Sequence, residues 1–332
     1  MRILIVTDAW YPQVNGVVRT LDTTRRHLEA MGFEVEVLSA EGMTTFPLPT
    51  YPDIRVALFP GRHVRACIER FAPDHLHIST EGPLGIAARN YAVKRGYSFT
   101  TAFHTRFPEY VKARTALPLS VTYAFLRWFH RPSSAVLVPT ESMIENLKTW
   151  GLGNLVLWSR GVDLKKFSPP KGRRKKNPDP VYLYVGRIAV EKNIEAFLEL
   201  DLEGVKWVVG DGPARAALER KYPEAVFHGE QHLPELAGFY RQADVFVFPS
   251  RTDTFGLVMV EAMACGTPVA GYPVTGPKDI MSGETGAIDE DLATACKSAL
   301  SKDRKKVRAH AQEFSWENVT KVFAEHLVAM RE

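Results

Sequence analysis

Between Leu257 and Cys265 every residue except Glu261 is apolar. A helix of that composition is buried nearly all round, and it leaves a carboxylate that must find hydrogen-bond donors. The two hydroxyls of a ribose would supply a matched pair; a backbone amide or a nearby Arg would satisfy the acid as well. Eight residues earlier, Asp253 stands on the polar loop that leads into the helix. It is placed either to accept hydrogen bonds from sugar hydroxyls or to serve as a cap or turn residue. Gly256 bares the backbone where the helix begins, and the free N–H groups there, with the positive end of the helix dipole, favour a phosphate. A second loop carries Arg187 and Lys192, five residues apart. A guanidinium fork grips two phosphate oxygens, and an ammonium stabilises the charge that grows on a departing diphosphate; two solvated surface cations would have the same spelling.

Positioning such loops is the task of a parallel sheet, and the chain is patterned for two of them. Its 332 residues, 45% apolar and 24% charged, suit two globular domains and exclude a disordered or fibrous chain. Short apolar runs alternate with longer amphipathic segments, the βαβα pattern of an α/β protein. Strands are expected at 2–7, 34–38, 54–58, 74–78, 98–103, 135–138 and 155–158, and helices near 17–31, 62–71, 83–95, 107–130 and 140–149. The run from Lys171 to Pro180 has five like charges and no apolar side chain beyond its prolines, and reads as a hinge. Strands resume at 181–185, 205–209, 225–228, 244–248, 268–270 and 286–288. The expected division is therefore a first domain at 1–168, a linker at 169–180, a second domain at 181–314 and a closing helix at 315–332. In open sheets of this kind ligands bind at the carboxyl ends of strands, which is where the charged loops fall.

The apolar stretch from Val121 to Phe129 is interrupted by Arg127 and is too short for the roughly 20 residues of a membrane span. No signal peptide is read at Met1–Asp8. Cys67, Cys265 and Cys296 are odd in number and widely spaced, which suggests unpaired thiols and a cytoplasmic setting. The net charge of +4 is concentrated in residues 1–170, with 20 basic against 14 acidic side chains. That excess is too small for nucleic acid but suits an anionic membrane surface or an acidic acceptor. Residues 106–131 sharpen the point: Arg106, Lys112, Arg114, Arg127 and Arg131 oppose only Glu109, beside Val121, Tyr123, Phe125, Leu126, Trp128 and Phe129. Basic side chains beside aromatics suit a headgroup boundary, although a helix buried on the sheet would explain the apolar set equally.

Taken together, these words resemble the retaining glycosyltransferases of the GT-B fold, in particular family four. The E-x7-E motif of that family matches Asp253 and Glu261, with Asp in place of the usual first Glu and its reach shortened by a methylene. The Arg-plus-Lys pair matches Arg187 and Lys192; Gly161-Val162-Asp163, Gly210-Asp211-Gly212-Pro213 and Glu261-Ala262-Met263-Ala264-Cys265-Gly266-Thr267-Pro268 match as well. In the first half the resemblance marks Pro12-Gln13-Val14-Asn15-Gly16-Val17, where Asn15-Gly16 on physical grounds is only a turn signal. It also marks His104, which by itself reads as a core histidine. The stretches Ser79–Gly85 and His104–Tyr110 look most like members that build glycolipids and mannosides.

The resemblance implies two Rossmann-like doubly wound domains facing across a cleft, with the closing helix at 315–332 crossing back to the first domain. It implies transfer of a hexose from GDP-mannose or a UDP-sugar to a membrane lipid or lipid-linked glycan, with retention of configuration. His104 and Asp253 are then assigned to the reacting sugar, and Gly16, Arg187, Lys192, Gly256 and Leu257 to the diphosphate. Phe255 and Glu261, with Asp253, fall to the sugar and ribose; Asn15, Glu81 and Arg106 fall to the acceptor side. No cofactor is expected. Neither a close His/Cys cluster nor an Asp-x-Asp pair of the metal-holding kind is read, so no metal is required. A G-x-G-x-x-G loop and a G-x-S-x-G elbow are also missing, which disfavours a nicotinamide enzyme and a hydrolase. The rivals that remain are an epimerase or phosphorylase on the same fold, and a binding protein without turnover.

Overall fold

The structure, a computed structural model, describes residues 1–331 except 14, 49–50, 105–106, 115–116, 173–176 and 254; at 48, 51–54, 110 and 113–114 it describes the backbone alone. Residues 1–159 and 316–332 form one compact unit, and residues 160–315 a second.

The first unit holds strands β1 (Arg2–Val6), β2 (Glu34–Leu38), β3 (Thr45–Leu48), β4 (Tyr51–Ala57), β5 (His75–Ile78), β6 (Thr100–Ala102), β7 (Ala135–Val138) and β8 (Leu155–Leu157). Six of them form a parallel sheet in the order β2-β1-β5-β6-β7-β8. Ile3 to Val6 and Val136 to Val138 are almost wholly buried, as strands covered by helices on both faces must be. β3 and β4 pair antiparallel as a separate hairpin. Only a strand at 54–58 is expected there, because Thr-Phe-Pro-Leu is short, carries a proline and shows no alternation. The helix expected over 107–130 is two, Phe107–Arg114 and Leu119–His130. Pro118 is extended at ψ 143°, lacks an N–H, and starts the second helix rather than continuing the first.

Residues 316–332 complete this unit. Trp316, Val319 and Phe323 of the helix Trp316–Glu325 bury against Ile3, Ile5 and Trp158. Trp158 Nε1 donates to the Val319 carbonyl at 3.2 Å, and Met330 exchanges backbone hydrogen bonds with Asp74 and Ser98. Each large apolar side chain so buried contributes about 1.5–3 kcal/mol.

The second unit holds β9 (Val181–Val185), β10 (Val205–Val209), β11 (Val226–Gly229), β12 (Val245–Phe248), β13 (Val269–Gly271) and β14 (Gly286–Ile288), parallel throughout in the order β11-β10-β9-β12-β13-β14. Residues 160–168, expected with the first domain, lie in this unit. Val162 and Phe167 are buried in its core, Val162 bridges to Ser315, and Arg308 and Arg241 donate to the carbonyls of Phe167 and Ser168. The stretch has no run of charge to announce this packing. Part of the hinge segment, 173–176, lies outside the described residues.

Candidate active site

Where the strand order of a doubly wound sheet reverses, the loops on either side diverge and open a crevice at the carboxyl edge. In the second unit the reversal lies between β9 and β12. The loop after β9 carries Arg187 and Lys192, and the loop after β12 carries Asp253, Phe255, Gly256 and Leu257. The structure brings these two loops together. Lys192 Nζ donates to Asp253 Oδ1 at 2.5 Å, Asn193 Nδ2 to the Pro249 carbonyl at 3.0 Å, and Thr252 Oγ1 to the Glu191 carbonyl at 3.4 Å. Arg187 keeps 66% of its side chain exposed, its nearest carboxylate being Glu191 at 3.9 Å. Its carbonyl is held by the Tyr184 hydroxyl at 2.9 Å, a phenol that burial pushes up and so keeps protonated as a donor.

The neighbouring loops are shaped by glycine. At Gly210 (φ +139°) a Cβ would stand 1.9 Å from the Gly186 carbonyl oxygen, and at Gly212 (φ +159°) 2.3 Å from that of Ile188. The Gly-Asp-Gly-Pro stretch therefore lies flat against the β9 loop, fastened by Ile188 N–H to the Asp211 carbonyl at 2.8 Å and Ala214 N–H to that of Ile188 at 3.1 Å.

Gly256, at φ +89°, turns the chain into the helix Leu257–Ala264, where Met259 to Ala264 are all buried. Leu257 opens that helix. Phe255 has its ring in the core beside Phe314, so what it offers a ligand is its peptide group. Glu261 is 8% exposed. The Tyr240 hydroxyl donates to its Oε2 at 3.0 Å, and burial together with this carboxylate drives the phenol well above its usual range, so it stays a donor. A tyrosine thus supplies one of the donors that the buried acid needs; nothing in the local sequence connects positions 240 and 261.

In the first unit the order reverses between β1 and β5. Asn15 and Gly16 follow β1, Glu81 follows β5 and His104 follows β6, so all four stand at the carboxyl edge of neighbouring strands. Asn15 acts as a helix cap: its Oδ1 accepts from Val17 N and Val18 N at 3.0 Å each, and its Nδ2 donates to Gln13. Gly16 begins the helix, and a Cβ there would meet nothing within 4 Å. Glu81 lies 3.4 Å from His130 Nε2, and His130 Nδ1 lies 2.9 Å from Thr101 Oγ1. His104 packs edge-on to Trp158, with ring centroids 5.9 Å apart. Arg106 lies outside the described residues.

Two residues here escaped the sequence reading. Asp8, just past β1, accepts from Leu84 N at 3.0 Å and from Thr80 Oγ1 at 2.8 Å, fixing the Ser79–Gly85 turn; burial pushes its carboxyl up against the pull of those bonds. A polar residue directly after a buried strand was the available signal. His130 was hidden inside an apolar helix.

Among the described residues no three His, Cys, Asp or Glu side chains come together as metal ligands. The chain's one Asp-x-Asp spelling, Asp289-Glu290-Asp291, serves the backbone: Asp291 caps the helix Leu292–Ala299 through Ala293 N at 3.1 Å. The three cysteines are free and buried, each thiol pushed up to about 12, chiefly by burial.

A parallel sheet in each unit, with charged loops at its carboxyl edge, defines an α/β protein of doubly wound type. The sequence pattern "Glycosyltransferase Family 4" matches residues 14–166, and "Glycosyl transferases group 1" matches 179–302. A GDP-mannose-dependent alpha-mannosyltransferase of Mycobacterium tuberculosis is 30% identical over 85% of this chain and 82% of its own length. An alpha-monoglucosyldiacylglycerol synthase of Streptococcus pneumoniae is 27% identical over 90% and 78%. The solved sucrose-phosphate synthase of Thermosynechococcus elongatus superposes with a TM-score of 0.72 over 98% of this chain and 97% of that one, at 21% identity. The chain belongs to the family 4 glycosyltransferases, with the GT-B fold.

Proposed function

We propose that this glycosyltransferase moves a hexose, with retention of configuration, from GDP-mannose or a UDP-sugar to a lipid or lipid-linked acceptor. The observation that supports it best is the gathering of Arg187, Lys192, Asp253 and the helix start at Gly256 on the two loops flanking the β9/β12 reversal. Arg187, Lys192 and the N–H groups at Gly256 and Leu257 meet the diphosphate; Glu261, with the peptide of Phe255, faces the ribose. As the bond from the anomeric carbon to the diphosphate breaks, these groups take up the negative charge, and electrostatics lowers the barrier. The acceptor oxygen bonds to the same face of that carbon, and its proton passes to the departing phosphate. Asp253 and His104 hold the sugar's hydroxyls; Gly16 serves the diphosphate, and Asn15, Glu81 and Arg106 the acceptor.

The names of the two relatives, one using GDP-mannose and one forming a glucosyl-diacylglycerol, favour a mannosyl or glucosyl donor and a lipid acceptor. Because fixed cations already meet the diphosphate, no metal is called for. A thermal-shift series with UDP, GDP, ADP and their sugars, with and without EDTA, tests both points. A ligand at 100 times its Kd adds about 2.7 kcal/mol of apparent stability. One base is expected to raise the melting temperature, equally in EDTA. No shift with any nucleotide, or a shift and turnover that need added Mg²⁺ or Mn²⁺, would refute the reading.

A further inference from the structure

The two cations of the β9 loop are not in the same state. Arg187 is two-thirds exposed and 3.9 Å from its nearest carboxylate, whereas Lys192 is bound at 2.5 Å by Asp253, with 27% and 25% of the two side chains exposed. A phosphate oxygen that takes Lys192 must displace that carboxylate or lie beside a like charge. Displacement leaves the crevice standing, because the Asn193 and Thr252 hydrogen bonds join the same two loops without either charged group.

Building on the donor-site reading above, we propose that Asp253 is an exchangeable counter-ion. It neutralises Lys192 in the ligand-free protein, yields it to the diphosphate, and is thereby released to accept hydrogen bonds from the sugar hydroxyls. Phosphate and sugar recognition are then coupled through one ion pair. A nucleotide sugar breaks the pair and gives the carboxylate new donors. The product diphosphate, which has no sugar, breaks it without that return, so the pair favours product release.

Calorimetry with UDP, GDP and ADP on the wild type, Asp253→Asn, Lys192→Ala, the double variant and Arg187→Ala tests the exchange. Asn keeps the shape of Asp and removes its charge. Asp253→Asn is expected to bind the bare nucleoside diphosphate about fivefold more tightly while its turnover of nucleotide sugar falls. In the Lys192→Ala background the same substitution is expected to change nucleotide affinity little. Unchanged or weaker binding in Asp253→Asn overturns the proposal, and so does a gain that persists without Lys192, which would be simple repulsion through space. If the wild type binds none of the three nucleotides, or Arg187→Ala binds as the wild type does, the donor-site reading itself fails and the exchange falls with it. A normal loss in Arg187→Ala beside an unaltered Asp253→Asn refutes the exchange alone.

Discussion

Two residues on which the fold makes little demand separate ligand recognition from folding. Arg187 packs against little, so Arg187→Ala is expected to stay folded yet lose a charge-assisted contact to phosphate, about ten- to hundredfold in nucleotide affinity by titration calorimetry. Gly16 is the sharper case. Neither its φ nor its surroundings require glycine. Ala at the start of a helix removes unfolded-state entropy and is worth about 0.5–1 kcal/mol where it fits. Gly16→Ala is therefore expected to melt no lower than the wild type while kcat/KM falls about tenfold or more, because a methyl group would stand where a ligand approaches the backbone. Full activity in Gly16→Ala would remove Gly16 from the site.

At the scale of the element, the loop after β10 is a wall for the loop after β9, and its fit is backbone on backbone. Gly210→Ala would press a methyl to within 1.9 Å of the Gly186 carbonyl, with no flexible side chain to give way. A loss of about 2–3 kcal/mol in urea unfolding is expected, with weakened nucleotide binding alongside it; stability within 0.5 kcal/mol of wild type (a surface-like effect) would contradict that picture. The strands themselves were legible because parallel strands, buried on both faces, are written as unbroken apolar runs such as Ile3–Val6 and Val245–Phe248. So were the charged loops, since polar residues at strand ends stand out against those runs. Partners far apart in the chain were not: Tyr240 with Glu261, Asp8 with the Ser79–Gly85 turn, and the packing of Val162 and Phe167 in the second unit carry no local pattern. Asn15 shows a structural role its motif did not announce, its oxygen capping a helix.

For the molecule as a whole, the surface of the first unit bears on where it works. Of the apolar set in 121–129, Tyr123, Leu126 and Phe129 point into the core, and Arg127 donates to the Trp150 carbonyl. Phe107, Val121 and Trp128 remain 44–50% exposed, with Lys112 and Arg131 exposed on the same stretch. No helix among the described residues is long and apolar enough to cross a membrane. Sedimentation with anionic vesicles is expected to carry the protein down, less so at high salt and in Lys112→Glu with Trp128→Ala; each basic side chain contributes only about 1 kcal/mol. Indifference to anionic lipid would leave the transferase intact and remove the surface contact. Acid acts through His77, fully buried against Trp158 and Phe323 with its pKa lowered by burial to about 3. The unfolded chain takes up that proton near pH 6.5 and the folded one only near 3, so stability declines as pH drops below 6.5 and levels off below 3. About 2 kcal/mol is lost by pH 5, measurable as an extra pH dependence of urea unfolding that His77→Gln lacks. The return of residues 316–332 to the first unit also orders events during synthesis. The second unit is one unbroken stretch and can fold once residue 315 has cleared the ribosome. Most of the first unit is translated before the second, yet its sheet stays uncovered at Trp158 and Asp74 until 316–332 emerge. At about 5–20 residues per second, the 156 residues of the intervening unit impose a wait of roughly 8–30 s. Over that interval the first half of the enzyme is the part that chaperones would meet unfinished.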